Sequence, residues 1–153
     1  MSPVELPTVA DTYALGVRLG ELLAAGDLML LTGPLGAGKT VLAQGIGAGL
    51  GVTGPVLSPT FVIARVHPGG RLPMVHVDAY RLGGIGELDD LDLDADVAAS
   101  VTVVEWGEGL VERLTEEHLR VDLDRGGPGE RRTARLHPHG AGWTARIATL
   151  SCR

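Results

Sequence analysis

The chain has 153 residues, 44% of them apolar but only 3% aromatic, which fits one domain with a core of Leu, Val and Ala. Thirteen Lys and Arg against nineteen Asp and Glu leave a net charge of −6, and this argues against direct binding to a nucleic-acid backbone. No window approaches the roughly 18 uninterrupted apolar residues of a membrane span, the opening MSPVELPTVADTYALG has neither the charged nor the apolar stretch of a secretory signal, and the single Cys152 cannot form an internal disulfide; a cytoplasmic location is expected.

From Asp11 to Ala25, Leu15, Leu19, Leu22 and Leu23 follow helical spacing, and Gly26 with Asp27 closes the pattern. Leu28 to Leu31 is a short apolar run, as expected of a strand buried on both faces. After a glycine-rich loop, Lys39 to Leu50 returns to helical spacing at Val41, Leu42, Ile46 and Leu50. Gly45, Gly47 and Gly49 each cost that helix about 1 kcal/mol relative to Ala, a cost that close packing against the sheet is expected to offset. In SPTFVIARVHPGGRLPMVHVDAY two strand-like runs surround Pro-Gly-Gly, which predicts an antiparallel hairpin and hence a mixed sheet. GGIGELDDLDLDADVAAS reads as loop and short helix; its acids lack the order of a calcium loop and are expected on a solvated face. VTVVEW is another strand, and Leu119, Val121 and Leu123 alternate before RGGPGE and RRTARLH, as in a C-terminal hairpin. His137 and His139 flank Pro138 in a polar stretch and are read as loop residues. No repeat or linker divides the chain, so residues 1–153 are expected to form a single domain.

Gly33, Gly38, Lys39 and Thr40 match G-x-x-x-x-G-K-[ST] between a strand and a helix. Glycines let main-chain amides converge on an anion, the helix start adds N–H groups and dipole, and the lysine supplies a full positive charge. Gly33, Gly36, Ala37, Gly38, Lys39, Thr40 and Val41 are therefore the candidate contacts to a nucleoside triphosphate. Thr40 puts a hydroxyl in the first helical turn, where it can ligate a Mg²⁺ that bridges two phosphates.

Hydrolysis or transfer also needs carboxylates. Asp78 and Glu105 each end an apolar run, MVHVD and VTVVE, and in a sheet beside the loop strand both emerge at the ligand edge. Thr60, in SPTF, sits in a proline-fixed turn or in a segment that senses the γ-phosphate. Trp106 either stacks on a nucleotide or covers the core rim. His76 lacks a third metal ligand at suitable spacing and is expected to be packed or hydrogen-bonded.

GDLMLLTGPLGAGKT, GLGV, SPTF, HVDAYRL and VVEWGEGL, in this order, jointly resemble the TsaE family, small bacterial ATPases required for threonylcarbamoyladenosine synthesis in tRNA. The resemblance spans about residues 8 to 125, with Gly107 in place of the proline that commonly follows the tryptophan. It implies an α/β, P-loop nucleoside triphosphatase-like three-layer fold with a mixed central sheet and a C-terminal antiparallel hairpin. It further implies ATP and Mg²⁺ as cofactors, Lys39 on the phosphates, Thr40 and Glu105 as magnesium ligands, Asp78 in support of catalysis, Thr60 in a switch-like segment and Thr12 near the nucleotide. The implied partners are the tRNA threonylcarbamoyl transferase subunit TsaD and its paralogue TsaB, with tRNA met only indirectly. The leading expectation is a weak ATPase stimulated by these partners. The alternatives are a small-molecule kinase that uses Tyr80 and Arg81 for its acceptor, and a nucleotide-gated adaptor.

Overall fold

The computed structural model describes residues 3–33, 38–52, 64–67, 71–78, 100–105, 117–125 and 129–150. Along the chain these form β1 (Val4–Leu6), α1 (Val9–Leu22), β2 (Leu28–Thr32), α2 (Lys39–Leu50), β3 (Ala64–His67), β4 (Met74–Asp78), β5 (Val101–Glu105), β6 (His118–Arg125), β7 (Arg132–His139) and α3 (Ala141–Leu150). The strands build one mixed sheet in the order β1-β7-β6-β2-β5-β4-β3. Its centre is parallel, with β2 between β5 and β6 and β4 beyond β5; the flanks are antiparallel, β3 on β4, β7 on β6 and β1 on β7. The mixed α/β fold and both predicted hairpins are therefore present.

Helix α1 starts two residues before the predicted Asp11 because Thr8 is an N-cap with extended backbone, φ −131°. The Thr8 hydroxyl accepts from the Asp11 N–H, while the Asp11 carboxylate accepts from the Thr8 N–H at 2.9 Å, a reciprocal capping box. Glu130, from the turn before β7, accepts from the Val9 N–H at 3.0 Å and ties this helix end to the C-terminal hairpin. The helix stops at Leu22 rather than Ala25. The Asp27 carboxylate accepts from the Ala24 N–H at 2.6 Å, and Gly26 takes φ 89°, so the chain turns into β2 at once.

The largest departure from expectation concerns the glycines of α2. A Cβ on Gly45 would lie 2.2 Å from the Tyr13 carbonyl oxygen, and one on Gly49 2.3 Å from that of Val17. Reciprocally, Cβ atoms on Gly16 and Gly20 would lie 2.4 Å from the carbonyl oxygens of Leu42 and Ile46. Gly45 and Gly49 thus pack against α1, not the sheet, and the two helices meet backbone to backbone. Around this seam Leu15, Leu19, Leu42, Ile46 and Leu50 form one buried cluster with Met29, Leu31, Val101 and Val103 of the central strands. Leu28, Leu30, Val75, Val77, Thr102 and Val104 alternate with these residues and are buried as well, as a doubly covered sheet requires. Among the described residues, α1, α2 and α3 all contribute to the cluster on the first of these faces.

Two elements were not predicted. β1 is three residues long and pairs only with Arg132, Thr133 and Ala134. α3 buries Trp143, Ile147 and Leu150; its Arg146 stacks over the Trp143 ring at 4.0 Å and donates to Asp27 at 3.0 Å and to the last-turn carbonyl of Leu22 at 3.3 Å. His137 and His139 belong to β7 rather than to a loop. The intervening Pro138 is tolerated because β1 pairs with β7 only at residues 132–134, which leaves Pro138 on the outer margin of the sheet. Among the described residues, no helix is long and apolar enough to cross a membrane.

Candidate nucleotide site at the carboxyl edge of the sheet

Strand β2 delivers the chain to Gly33, whose φ is 141°, and α2 begins after Gly38, whose φ is 100°. Both angles lie where a side chain is strained, so the two motif glycines are demanded by the backbone. Gly36 and Ala37, between them, lie outside the described residues. Gly38 is the N-cap of α2 and has no side chain to cap it, so the N–H groups of Lys39, Thr40 and Val41 head the helix in the manner of an anion site. Lys39 is only 6% exposed, and its Nζ donates to the Gly33 carbonyl at 2.7 Å. The ammonium spans the loop from one end to the other.

Two residues flank the point where loop becomes helix. A Cβ on Gly38 would lie 3.6 Å from Thr12 Cγ2 and 4.0 Å from Arg132 Cγ and Nε. Thr12 is 2% exposed, and its hydroxyl has no hydrogen-bond partner among the described residues, a condition that costs about 1–3 kcal/mol until something supplies one. Arg132 heads β7 and donates to the carbonyls of Gly129 and Arg131 at 2.8 and 2.9 Å. In the sequence Arg132 reads only as part of a strand; the further signal for it is a pair of basic residues, Arg131 and Arg132, after a Gly-containing turn in an acidic chain.

The acids arrive by register. Glu105 is opposite Leu31 of β2 on one side and Asp78 of β4 on the other, with neighbouring strands about 4.8 Å apart. Both acids therefore stand at the sheet edge from which the loop leaves β2. Glu105 is 6% exposed, and its Oε2 lies 2.7 Å from Nε2 of His76, which is wholly buried. His76 is opposite Val103 and so is the diagonal neighbour of Glu105. It is both packed and hydrogen-bonded, as its spacing implied. Thr60 and Trp106 lie outside the described residues.

A Mg²⁺ ion suits this donor set. It prefers oxygen ligands and takes one or two from protein while phosphates and water supply the rest; the Glu105 carboxylate and the Thr40 hydroxyl are of that kind. Among the described residues no three His, Cys, Asp or Glu side chains gather into an all-protein metal cage, and such an ion needs none.

Behind the loop, Thr32 at the end of β2 donates its hydroxyl to Asp122. Arg120 Nε donates to the same carboxylate at 2.7 Å, and His137 Nε2 lies 3.0 Å from it. Partial burial pushes the Asp122 carboxyl up, but the hydrogen bonds from Arg120 and Thr32 and the charges of Arg120 and His137 outweigh it, so the group sits below the ordinary value of 3.8.

Comparison with known proteins shows the family to which the chain is similar. The profile of the family described as "Threonylcarbamoyl adenosine biosynthesis protein TsaE" matches residues 6–134. A protein of Streptomyces coelicolor named "tRNA threonylcarbamoyladenosine biosynthesis protein TsaE" is 65% identical over 114 residues, 72% of this chain and 77% of the relative. A protein of the same name from Mycobacterium bovis is 57% identical over 129 residues, 78% of this chain and 77% of its own. The crystal structure of Bacillus subtilis YdiB superposes with a TM-score of 0.80 at 29% identity, over 98% of this chain and 93% of that one.

Proposed function

The chain belongs to the TsaE family, and on that premise we propose that it is a Mg²⁺-dependent ATPase, weak alone and stimulated by partner proteins, that serves threonylcarbamoyladenosine modification of tRNA. Its relatives are named for biosynthesis of that nucleoside. The observation that carries the enzymatic half of the reading is the strand register, in which Glu105 stands opposite both Leu31, two residues before the loop, and Asp78.

In this reading the amides heading α2 and the Lys39 ammonium hold the β and γ phosphates, and the ammonium exchanges the Gly33 carbonyl for phosphate oxygen. Gly33, Gly36, Ala37, Gly38 and Val41 shape the cradle. Thr12 and Arg132 flank it, and the Thr12 hydroxyl, without a hydrogen-bond partner among the described residues, gains an acceptor or donor from the nucleotide. Glu105 and Thr40 hold Mg²⁺, which when bound neutralises the charge that builds on the phosphates. Asp78, the second carboxylate of the edge, orients the attacking water. The bond from the γ-phosphorus to the β–γ bridging oxygen breaks as the water oxygen bonds to phosphorus, the bridging oxygen leaves with ADP, and the attacking water gives up a proton to solvent, so that the products are ADP, inorganic phosphate and a proton. Thr60 acts in a switch-like segment and Trp106 stacks beside the nucleotide.

The implied partners are the transferase subunit TsaD and its paralogue TsaB. An acidic chain with a net charge of −6 suits contact with proteins that themselves hold the tRNA better than contact with tRNA itself. Phosphate release from ATP by the purified chain, with and without that transferase pair, tests the proposal. Slow turnover alone that rises on addition of the pair is expected, since a group missing from such a site is worth factors of about 10³ to 10⁵. Fast turnover alone, unchanged by the pair, would refute the coupling, and a Glu105→Ala chain with undiminished turnover would refute the site.

A further inference from the structure

Glu105 is assigned above as a cation ligand, yet a glutamate has several rotatable bonds and two oxygens, and nothing in its own chemistry selects one oxygen or one orientation. The structure supplies that selection from a neighbouring strand. His76 sits in the middle of β4, wholly buried, and its Nε2 meets Oε2 of Glu105 at 2.7 Å, within the range of charge-assisted hydrogen bonds. A carboxylate that holds a cation does so ionised and can then only accept, so in that state the imidazole donates its Nε2–H, and the oxygen it engages is Oε2.

We propose that His76 is a positioning residue: by holding Oε2 it fixes the Glu105 carboxylate and presents the other oxygen, Oε1, to the divalent cation, and so sets the affinity of the site for that cation. The inference rests on the reading of Glu105 as the ligand. Two other roles fit the contacts less well. As a ligand itself, His76 would offer nitrogen to an ion that selects oxygen, through an Nε2 already engaged by Glu105. As mere filling between β4 and β5, an imidazole is a costly choice in a fully buried position where an apolar side chain carries no desolvation penalty. A partner that orients a metal-binding side chain through its own hydrogen bond is a recurrent arrangement, and its removal lowers metal affinity 10–100-fold.

The test uses the full chain with a non-hydrolysable ATP analogue and Mn²⁺ as the probe, with free Mn²⁺ read by electron paramagnetic resonance. His76→Phe, which fills the space without donating, should weaken Mn²⁺ about 10–100-fold while metal-free nucleotide affinity stays near that of the parent. His76→Gln, which keeps an N–H donor, should lose less. His76→Asn, polar but short, reads the same loss should the Phe variant not fold, as judged by thermal unfolding. Added to Glu105→Gln, the His76 substitution should cause no further loss. Parental Mn²⁺ affinity in a folded His76→Phe or His76→Asn chain, or an equal additional loss in the Glu105→Gln background, overturns the inference. If Glu105→Gln weakens Mn²⁺ and the His76 variants do not, the positioning role alone fails; if Glu105→Gln itself leaves Mn²⁺ affinity unchanged, the ligand assignment fails with it.

Discussion

At the carboxyl edge of β2, β4 and β5 the charged and polar groups are almost sealed: Lys39 and Glu105 are each 6% exposed and His76 is fully buried. Across the sheet, in β1, β6 and β7, charges also pair, but in the open. Arg120 and Asp122 have side chains 41% and 26% exposed, and Arg131 and Glu5 have side chains 51% and 62% exposed at a separation of 3.7 Å. Water screens the second set and hardly reaches the first. A buried group loses much when its neighbour is removed, whereas an exposed pair contributes little beyond what solvent would provide. The same alphabet of charges therefore marks a buried candidate site in one half and a solvated face in the other.

Substitutions can break or sharpen this contrast. The largest effect should come from the buried seam between α1 and α2 that supports the sealed edge, where Gly45→Val forces side-chain atoms into the Tyr13 carbonyl, 2.2 Å from the Cβ position; a loss of about 3 kcal/mol or more is expected in thermal unfolding, and an unchanged melting temperature would contradict the backbone contact. Lys39→Ala should weaken ATP binding by about 1.5–3 kcal/mol, read by calorimetric titration on the folded variant. Parental affinity would remove the lysine from the site.

In the open half, Asp122→Asn should cost about 1 kcal/mol at neutral pH, after allowance for solvent screening. Because the Asp122 carboxyl is depressed below 3.8 in the folded chain, its contribution is fully present above that pH. It disappears as the pH falls below 3.8 and passes through the lower folded-state value. Denaturant unfolding should therefore show the parent and variant converging in that acidic window and separated above it; a gap that widened on acidification would reverse the sign. The smallest effect belongs to Arg131→Ala, under about 0.5 kcal/mol. A larger change would mean that the exposed half is more tightly coupled than its accessibility implies.

The site was legible where several constraints coincide on a few residues. Between Leu28 and Leu50 the strand, the two glycines with positive φ and the helix start at Lys39 were read almost to the residue, because the motif and the apolar spacing dictate the same boundaries. Glu105 and Asp78 stand out as candidates because acids close two apolar runs, although only the register shows that the two positions are opposite one another. What escaped depends on contacts distant in sequence. β1 is too short to show a period and is defined by its pairing to β7. α3 does carry a signal, with Trp143, Ile147 and Leu150 at helical spacing, but it was overshadowed by the hairpin before it. The β7 histidines read as loop residues because their stretch is polar, and Pro138 between them fits a strand only at the outer margin of a sheet. No local pattern tells that Gly45 and Gly49 face another helix, that Arg132 approaches Gly38, or that Glu105 is the partner of His76.

The glycine seam between α1 and α2 has a mechanical consequence. Interfaces built from long side chains can creep, as rotamers exchange and surfaces slip; where carbonyl oxygens rest against Cα atoms there is nothing to exchange. The two helices are geared together, and any displacement of the head of α2 that nucleotide binding would cause in the proposed reading must carry Thr12, near the head of α1, along with it. Deuterium uptake should accordingly slow in both helices at the same nucleotide concentration; protection confined to α2 would show that the gearing slips.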